Sequence, residues 1–189
     1  MAYSRLLLLL LIGVISTHLP EANARPIDFW CKNERRKKMM EMIVDKAECE
    51  GSDALPAPVQ LPCVQVHAAE WANKTLPQKR EEVLAALQVF QSGVQAVRKQ
   101  ITLQCHTSLL KRLEHSVANY LIIISTREIQ SDDSPFSHSA AQNCSSQTSL
   151  NKVLTQYRNL LIGKLERLAV DLQDTVCREE HTKVKNKGP

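Results

Sequence analysis

Aromatic side chains are scarce, with two Trp, three Tyr and three Phe in 189 residues. No set of stacking rings accompanies the basic residues, acidic and basic side chains are interleaved, and the net charge is only +4. That balance argues against a nucleic-acid binder. Past Ile15 no stretch is apolar enough to anchor the chain in a bilayer, which takes roughly 20 residues. Also missing are a glycine-rich phosphate loop, a metal-spaced His or Cys cluster and a nucleophile turn of the Gly-x-Ser-x-Gly kind. His67, His106, His115, His138 and His181 fall on different segments. The reading is therefore of a non-enzymatic protein without cofactor or metal.

What is present begins with a leader. Arg5, an apolar run from Leu6 to Ile12 that extends through Val14 and Ile15, and the small-residue stretch Ala22-Asn23-Ala24 form a secretory signal peptide over 1–24. The remaining 25–189 has the length of one domain and is expected to be soluble and extracellular. All six cysteines, Cys31, Cys49, Cys63, Cys105, Cys144 and Cys177, lie in it, and an even count in an oxidising compartment reads as a disulfide set. Asn73-Lys74-Thr75 and Asn143-Cys144-Ser145 are N-glycosylation sequons, placing Asn73 and Asn143 in polar surface segments.

Three helices are written in the apolar spacing. Val83, Leu87, Phe90, Val94, Val97 and Ile101 alternate steps of four and three, which is one face of a helix. Its start is marked by a Thr75 and Gln78 capping box with Pro77 in the first turn. Leu109, Leu113, Val117, Leu121 and Ile124 form the next series. The last and longest runs Leu150, Leu154, Tyr157, Leu161, Leu165, Leu168 and Leu172, with Ser149 as N-cap. Only Gly163 interrupts it, at about 1 kcal/mol against alanine. A fourth helix, first in the chain, is expected over Asp28 to Glu48. Its apolar stripe (Met40, Ile43, Val44 and Ala47) lies in the second half, and the run Lys32 to Lys38 cannot all be buried.

The connections are long, short, long. Glu50 to Lys74 carries Pro56, Pro58 and Pro62, Arg127 to Thr148 is rich in Ser, Asp and Gln, and only a few residues separate the middle helices. Two long crossovers are what an all-α, up-up-down-down four-helix bundle of the long-chain cytokine type requires. Strands are expected only as short pieces within the crossovers. Spacing alone leaves about fifteen cysteine pairings open. The topology brings Cys31 near Cys177 at one end of the bundle and Cys49 near Cys105 at the other; the remaining pair, Cys63 and Cys144, falls one in each crossover, and these loops, both running the length of the bundle, could pass side by side.

Particular segments now look familiar. Leu61-Pro62-Cys63-Val64, Glu70-Trp71, Gly93-Val94-Gln95-Ala96-Val97-Arg98, Cys105 with Ser108-Leu109-Leu110, Tyr157 to Leu165, and Cys177-Arg178 together resemble the erythropoietin and thrombopoietin family of cytokine hormones. The likeness covers nearly all of 25–189 and is nearer to the thrombopoietin branch than to the erythropoietin branch. The tie between an N-terminal and a C-terminal cysteine is the family's too. Cys63 and Cys144 are extra to the family pattern, and Ile162 stands where the family usually has arginine.

The resemblance implies a monomeric hormone that clamps two copies of a single-pass receptor ectodomain, with no membrane insertion of its own. The receptor would be the thrombopoietin receptor or, on the other branch, the erythropoietin receptor, and the response proliferation and maturation of platelet or erythroid precursors respectively. One binding face would comprise the last helix and the first crossover: Arg158, Asn159, Lys164 and Arg167, with Val66 and His67. Lys164 is the leading candidate. The second face would lie on the first and third helices: Arg35, Lys38, Lys111, Arg112 and His115. The plain alternative is that such cations are solvated surface, since interface energy concentrates in a few residues. The basic run Arg35-Arg36-Lys37-Lys38 reads as a solvated helix face that steers the chain toward an acidic receptor surface, in preference to heparin binding or dibasic cleavage. Trp71 and Gly163 read as packing features. A secreted helical lipid or small-molecule carrier is the competing class; it would need an open apolar cavity, whereas these stripes look cut to close on one another.

Overall fold

A computed structural model describes residues 26–41, 53–126 and 143–185. The order is α1 (Pro26–Cys31), α2 (Asn33–Glu41), β1 (Ala54–Pro62), α3 (Ala68–Asn73), α4 (Leu76–Arg98), α5 (Gln104–Ser125), β2 (Asn143–Ser149), α6 (Leu150–Leu160), a π-helical turn (Leu161–Leu165) and α7 (Glu166–Lys185). The leader 1–24 lies outside the described residues, as do Cys49 and the stripe residues Ile43, Val44 and Ala47.

Local chemistry starts each long helix. At α4 the Thr75 hydroxyl accepts from the Gln78 amide, while the Gln78 side chain accepts from the Thr75 amide at 2.9 Å. Two of the helix's orphan donors are thus satisfied. At α6 the Ser149 hydroxyl accepts from Lys152 N–H. Asp53, just before β1, adds a cap from the other end of the chain: its carboxylate accepts from Asn151 N–H at 2.8 Å and from the Ser149 hydroxyl. The Ser149 hydrogen bond holds the Asp53 carboxyl below its ordinary pKa.

The core is the meeting of three helical stripes. Val83, Leu87, Phe90, Val94 and Val97 of α4, and all seven residues of the last series from Leu150 to Leu172, are buried. Phe90 lies against Tyr157 at 5.2 Å between ring centroids. On α5 the buried row is Leu109, Leu113, Val117, Tyr120 and Ile124, and Leu121 is only half-buried. The four-three-four stepping takes the tyrosine where the sequence pattern suggested the leucine. Ile101 lies beyond α4 and packs on the core from the side.

Three features depart from the sequence pattern. The crossovers pair as an antiparallel ribbon, with Val59 opposite Gln147 and Leu61 opposite Ser145. Its strands are nine and seven residues long, more than short pieces. Prolines survive in β1 because a two-stranded ribbon leaves one edge of each strand without a ladder to break. The inner side chains Val59 and Leu61 bury against α4. There Gly93 is required, since an added Cβ would collide with the Gln60 carbonyl oxygen.

The last helix is not one unbroken α-helix, because the π turn centres on Gly163. The first helix is broken at Lys32. Its described anchors are Phe29 and Trp30, packed edge-on at 5.0 Å, and Arg36. Phe29 also reaches Tyr120 of α5 at 5.7 Å.

Disulfides tie the frame. Cys31 is bonded to Cys177 with Cα atoms 5.6 Å apart, fixing α1 on α7, and Cys63 to Cys144 at 4.9 Å, fixing the end of the ribbon. Cys105, itself disulfide-bonded, opens α5; Cys49, its expected partner, lies outside the described residues.

Candidate functional site

Where the chain leaves the ribbon it crosses the last helix and enters α3. Val64 and Val66 lie over Gly163, with the Val64 carbonyl 3.6 Å and a Val66 methyl 3.8 Å from where a Cβ would stand. These are ordinary contacts, so the glycine is tolerated here, not demanded by close approach. Trp71 bolts the short α3 in place. Its indole N–H donates to Asp171 Oδ2 at 3.0 Å, and Lys79 donates to the same oxygen at 2.9 Å while standing 5.6 Å over the indole ring. One tryptophan thus joins α3, α4 and α7.

Between these elements is a cavity of about 400 Å³ whose walls include Val66, His67, Trp71, Lys74, Glu82 and Lys164. Charges alternate along it. Glu70 pairs with Lys74, Lys74 with Glu82 at 2.7 Å, and Glu82 with Lys164 at 2.7 Å. Burial opposes ionisation of Glu82, but hydrogen bonds from Lys164 and Lys74 outweigh it and hold the carboxyl below its ordinary pKa. Burial likewise opposes the charge on Lys74, and its two carboxylate partners more than restore it. The ladder runs from exposed Glu70, through half-buried Lys74 and Glu82, to buried Lys164. Such a lining suits a polar or charged side chain of a protein partner and not a fatty-acid tail.

The predicted residues of the first face separate into two groups. Val66, His67 and Lys164 share the cavity wall. Arg158, Asn159 and Arg167 are exposed on the outer side of the same helix. Lys164 departs from its expected role: it is 5% exposed, and its ammonium is committed to Glu82. It shapes the pocket floor and is not a free surface cation.

On the second face Arg35 and Lys38 of α2 and Lys111, Arg112 and His115 of α5 are all exposed. Asn73 is exposed at the end of α3, and Asn143 begins β2 beside the bonded Cys144.

Arg36 corrects the reading of the basic run as a solvated face. It is 1% exposed, donates to both oxygens of Glu166 at 2.7 and 2.9 Å, and donates to the Phe29 and Trp30 carbonyls at 2.9 and 3.1 Å. Arg36, Glu82, Asp53 and Asp171 are the residues that sequence reasoning missed. Their partners stand far away in the chain, and a lone charged residue leaves no periodic trace.

A disulfide-tied helical bundle with two paired crossovers has the architecture of a four-helix cytokine. A family model described as Erythropoietin/thrombopoietin matches residues 37–180, and the chain belongs to that family. It is 35% identical over 71 residues to thrombopoietin of Mus musculus and 34% identical over 71 residues to thrombopoietin of Rattus norvegicus. These alignments cover 38% of this chain but only 20% and 22% of the respective relatives. Members of the family are cytokine hormones that bind cytokine receptors; they are not enzymes. Among the described residues no helix is long and apolar enough to cross a membrane.

Proposed function

We propose that this chain is a secreted, thrombopoietin-like hormone that pairs two single-pass receptor ectodomains and thereby drives proliferation and maturation of platelet-forming precursors. The likeness to two thrombopoietins supports the branch. The observation that supports the recognition mode is the charged cavity lined by the end of the first crossover, α3, α4 and Lys164 of the π turn, with exposed Arg158 and Asn159 on α6 and Arg167 on α7 along the same helix. This region is the higher-affinity face, and the exposed cations of α2 and α5 serve the second. Secretion rests on the leader 1–24, and glycans at Asn73 and Asn143 decorate the product.

The test is surface binding of refolded 25–189 to immobilised thrombopoietin-receptor and erythropoietin-receptor ectodomains of the same organism. Nanomolar binding to the first alone is expected. Binding to the second alone reassigns the lineage, and binding to neither refutes the hormone reading. Lys164→Met supplies a check within the site. It should weaken binding by removing one of the two cationic partners of Glu82 in the pocket, and an affinity within twofold of wild type in a folded variant would remove the cavity from the interface.

A further inference from the structure

The two sequons come to rest in different surroundings. Asn143-Cys144-Ser145 opens β2, where Leu61 pairs with Ser145 and Pro62 pairs with Asn143. The register slips by one residue between these pairs, so Cys144 is the extra residue of a bulge. Its sulfur is bonded to Cys63, the residue that follows β1. The Ser145 hydroxyl is buried and has no hydrogen-bond partner among the described residues. All three positions of the motif are therefore engaged, two by strand pairing and one by a covalent bond.

Modification of a sequon needs the opposite state. N-glycosylation joins the asparagine side-chain nitrogen to C1 of a sugar carried on a lipid pyrophosphate; the N–C1 bond forms, the C1–oxygen bond breaks, the lipid pyrophosphate leaves and the amide loses one proton. The transferase reads the hydroxyl two residues further on, so that group must be in the open and the segment detached from its neighbours. Closing the bridge uses the same segment: the Cys63 and Cys144 thiols give up two protons and two electrons to a protein disulfide, which becomes a dithiol. A two-stranded ribbon by itself is marginal in water, and at this end the bridge is the covalent lock that holds 143–145 against β1.

Asn73-Lys74-Thr75 supplies the contrast. Asn73 and Thr75 are exposed, and Lys74 and Thr75 are extended outside the ribbon, between α3 and α4. The Thr75 hydroxyl accepts only a long hydrogen bond from the Gln78 amide, at 3.4 Å. Timing separates the two sites further. Cys63 precedes Cys144 by 81 residues, so at about 5–20 residues per second it is made about 4–16 s earlier. Bridging takes seconds or longer. When Asn143 arrives, the thiol that will close its segment is already waiting, and the transferase has only the interval before closure.

We propose that N-glycosylation of Asn143 and closure of the Cys63–Cys144 bridge compete for one segment, so that Asn143 is modified only in chains reached before the bridge closes, whereas Asn73 is modified irrespective of it. The inference rests on the secretory reading above and is independent of which receptor is used.

The test is site occupancy in the full chain expressed in animal cells, read by mass spectrometry after enzymatic removal of glycans in heavy-oxygen water, which marks each asparagine that carried one. Cys63→Ser removes the bridge and leaves the Asn143 sequon itself unchanged. Wild-type Asn143 should be occupied in at most a fraction of chains, and Cys63→Ser should raise that fraction about twofold or more, with Asn73 the same in both. Reading the intracellular pool beside the secreted one keeps the comparison valid for a variant that is not exported. Cys31→Ser, which removes the other described bridge and spares the ribbon, should leave Asn143 as in the wild type.

Equal Asn143 occupancy in wild type and Cys63→Ser overturns the inference: full in both means that the bridge does not compete, and bare in both means that a cysteine inside the motif is itself the obstacle. A rise in Cys31→Ser as large as that in Cys63→Ser also overturns it, since slower folding alone would then suffice. If Asn73 and Asn143 are both bare in every variant, the secretory reading fails and this inference with it.

Discussion

Replacing Arg36 with alanine should cost this protein far more than replacing a neighbouring cation. The side chain sits in a run of four basic residues, yet it makes four hydrogen bonds, two to Glu166 and two to the carbonyls that end α1. Truncation leaves those carbonyls without their donor and Glu166, whose side chain is 21% exposed, without its counter-charge. Breaking a buried pair from one side costs about 3–5 kcal/mol. Glu166 keeps some access to water, so the lower end, about 3 kcal/mol, is the expectation. With a urea slope of about 2 kcal/mol per molar, the midpoint should fall by roughly 1.5 M. Arg36→Lys should recover little, because an ammonium cannot span the carboxylate and both carbonyls as a planar fork does. Lys37→Ala, which removes an exposed neighbour, should stay within about 0.5 kcal/mol. The assay is urea unfolding with disulfides intact, followed by far-UV circular dichroism. Equal midpoints for Arg36→Ala and Lys37→Ala would refute the burial argument and return the whole run to solvent.

Three further outcomes follow from the geometry. Glu82 has a folded pKa below its ordinary 4.5, so its contribution is present above that value and lost as pH falls through the folded one; Glu82→Gln should flatten the acid limb of stability against pH. Burial raises Tyr157 well above the ordinary phenol range and pushes Tyr120 up to about 12. Their contribution is complete below pH 10 and is lost as pH rises through the folded values, at about 1.4 kcal/mol per pH unit for each unfolded-state phenolate; Tyr157→Phe should reduce that slope in alkaline unfolding titrations. Gly93→Ala should destabilise by about 1–3 kcal/mol through its clash with the Gln60 carbonyl. Gly163→Ala, meeting only ordinary contacts, should be neutral or stabilising by up to about 1 kcal/mol, and thermal melts of the two variants will show whether the glycines differ in kind.

The helices were legible because burial on one side of a regular helix imprints a period on the chain. Val83 through Val97 and Leu150 through Leu172 carry that period, and the Thr75 and Gln78 cap is a local signal within four residues. The ribbon was not legible, since β1 holds prolines and β2 reads Asn-Cys-Ser-Ser-Gln-Thr-Ser, polar throughout. Each strand gains its identity only from the other. The site was legible in outline: the first crossover and the last helix do form one region, with Val66 and His67 on the same cavity wall as Lys164. Its polarity was misjudged at two residues. Lys164 and Arg36 look like surface cations in a linear string, and only the carboxylates Glu82 and Glu166, 82 and 130 positions away, explain why they are inside.

The two described disulfides are nested: Cys63 and Cys144 lie inside the span closed by Cys31 and Cys177. A protease that cuts once between Cys31 and Cys63 leaves both fragments joined by the outer bridge, and the same holds between Cys144 and Cys177. A single cut between Cys63 and Cys144 leaves them joined by both of these bridges. Nicking anywhere along this stretch therefore yields a two-chain molecule of unchanged stoichiometry, with the last helix still fastened to the start of the first. Release of a fragment takes a second cut or a reductant.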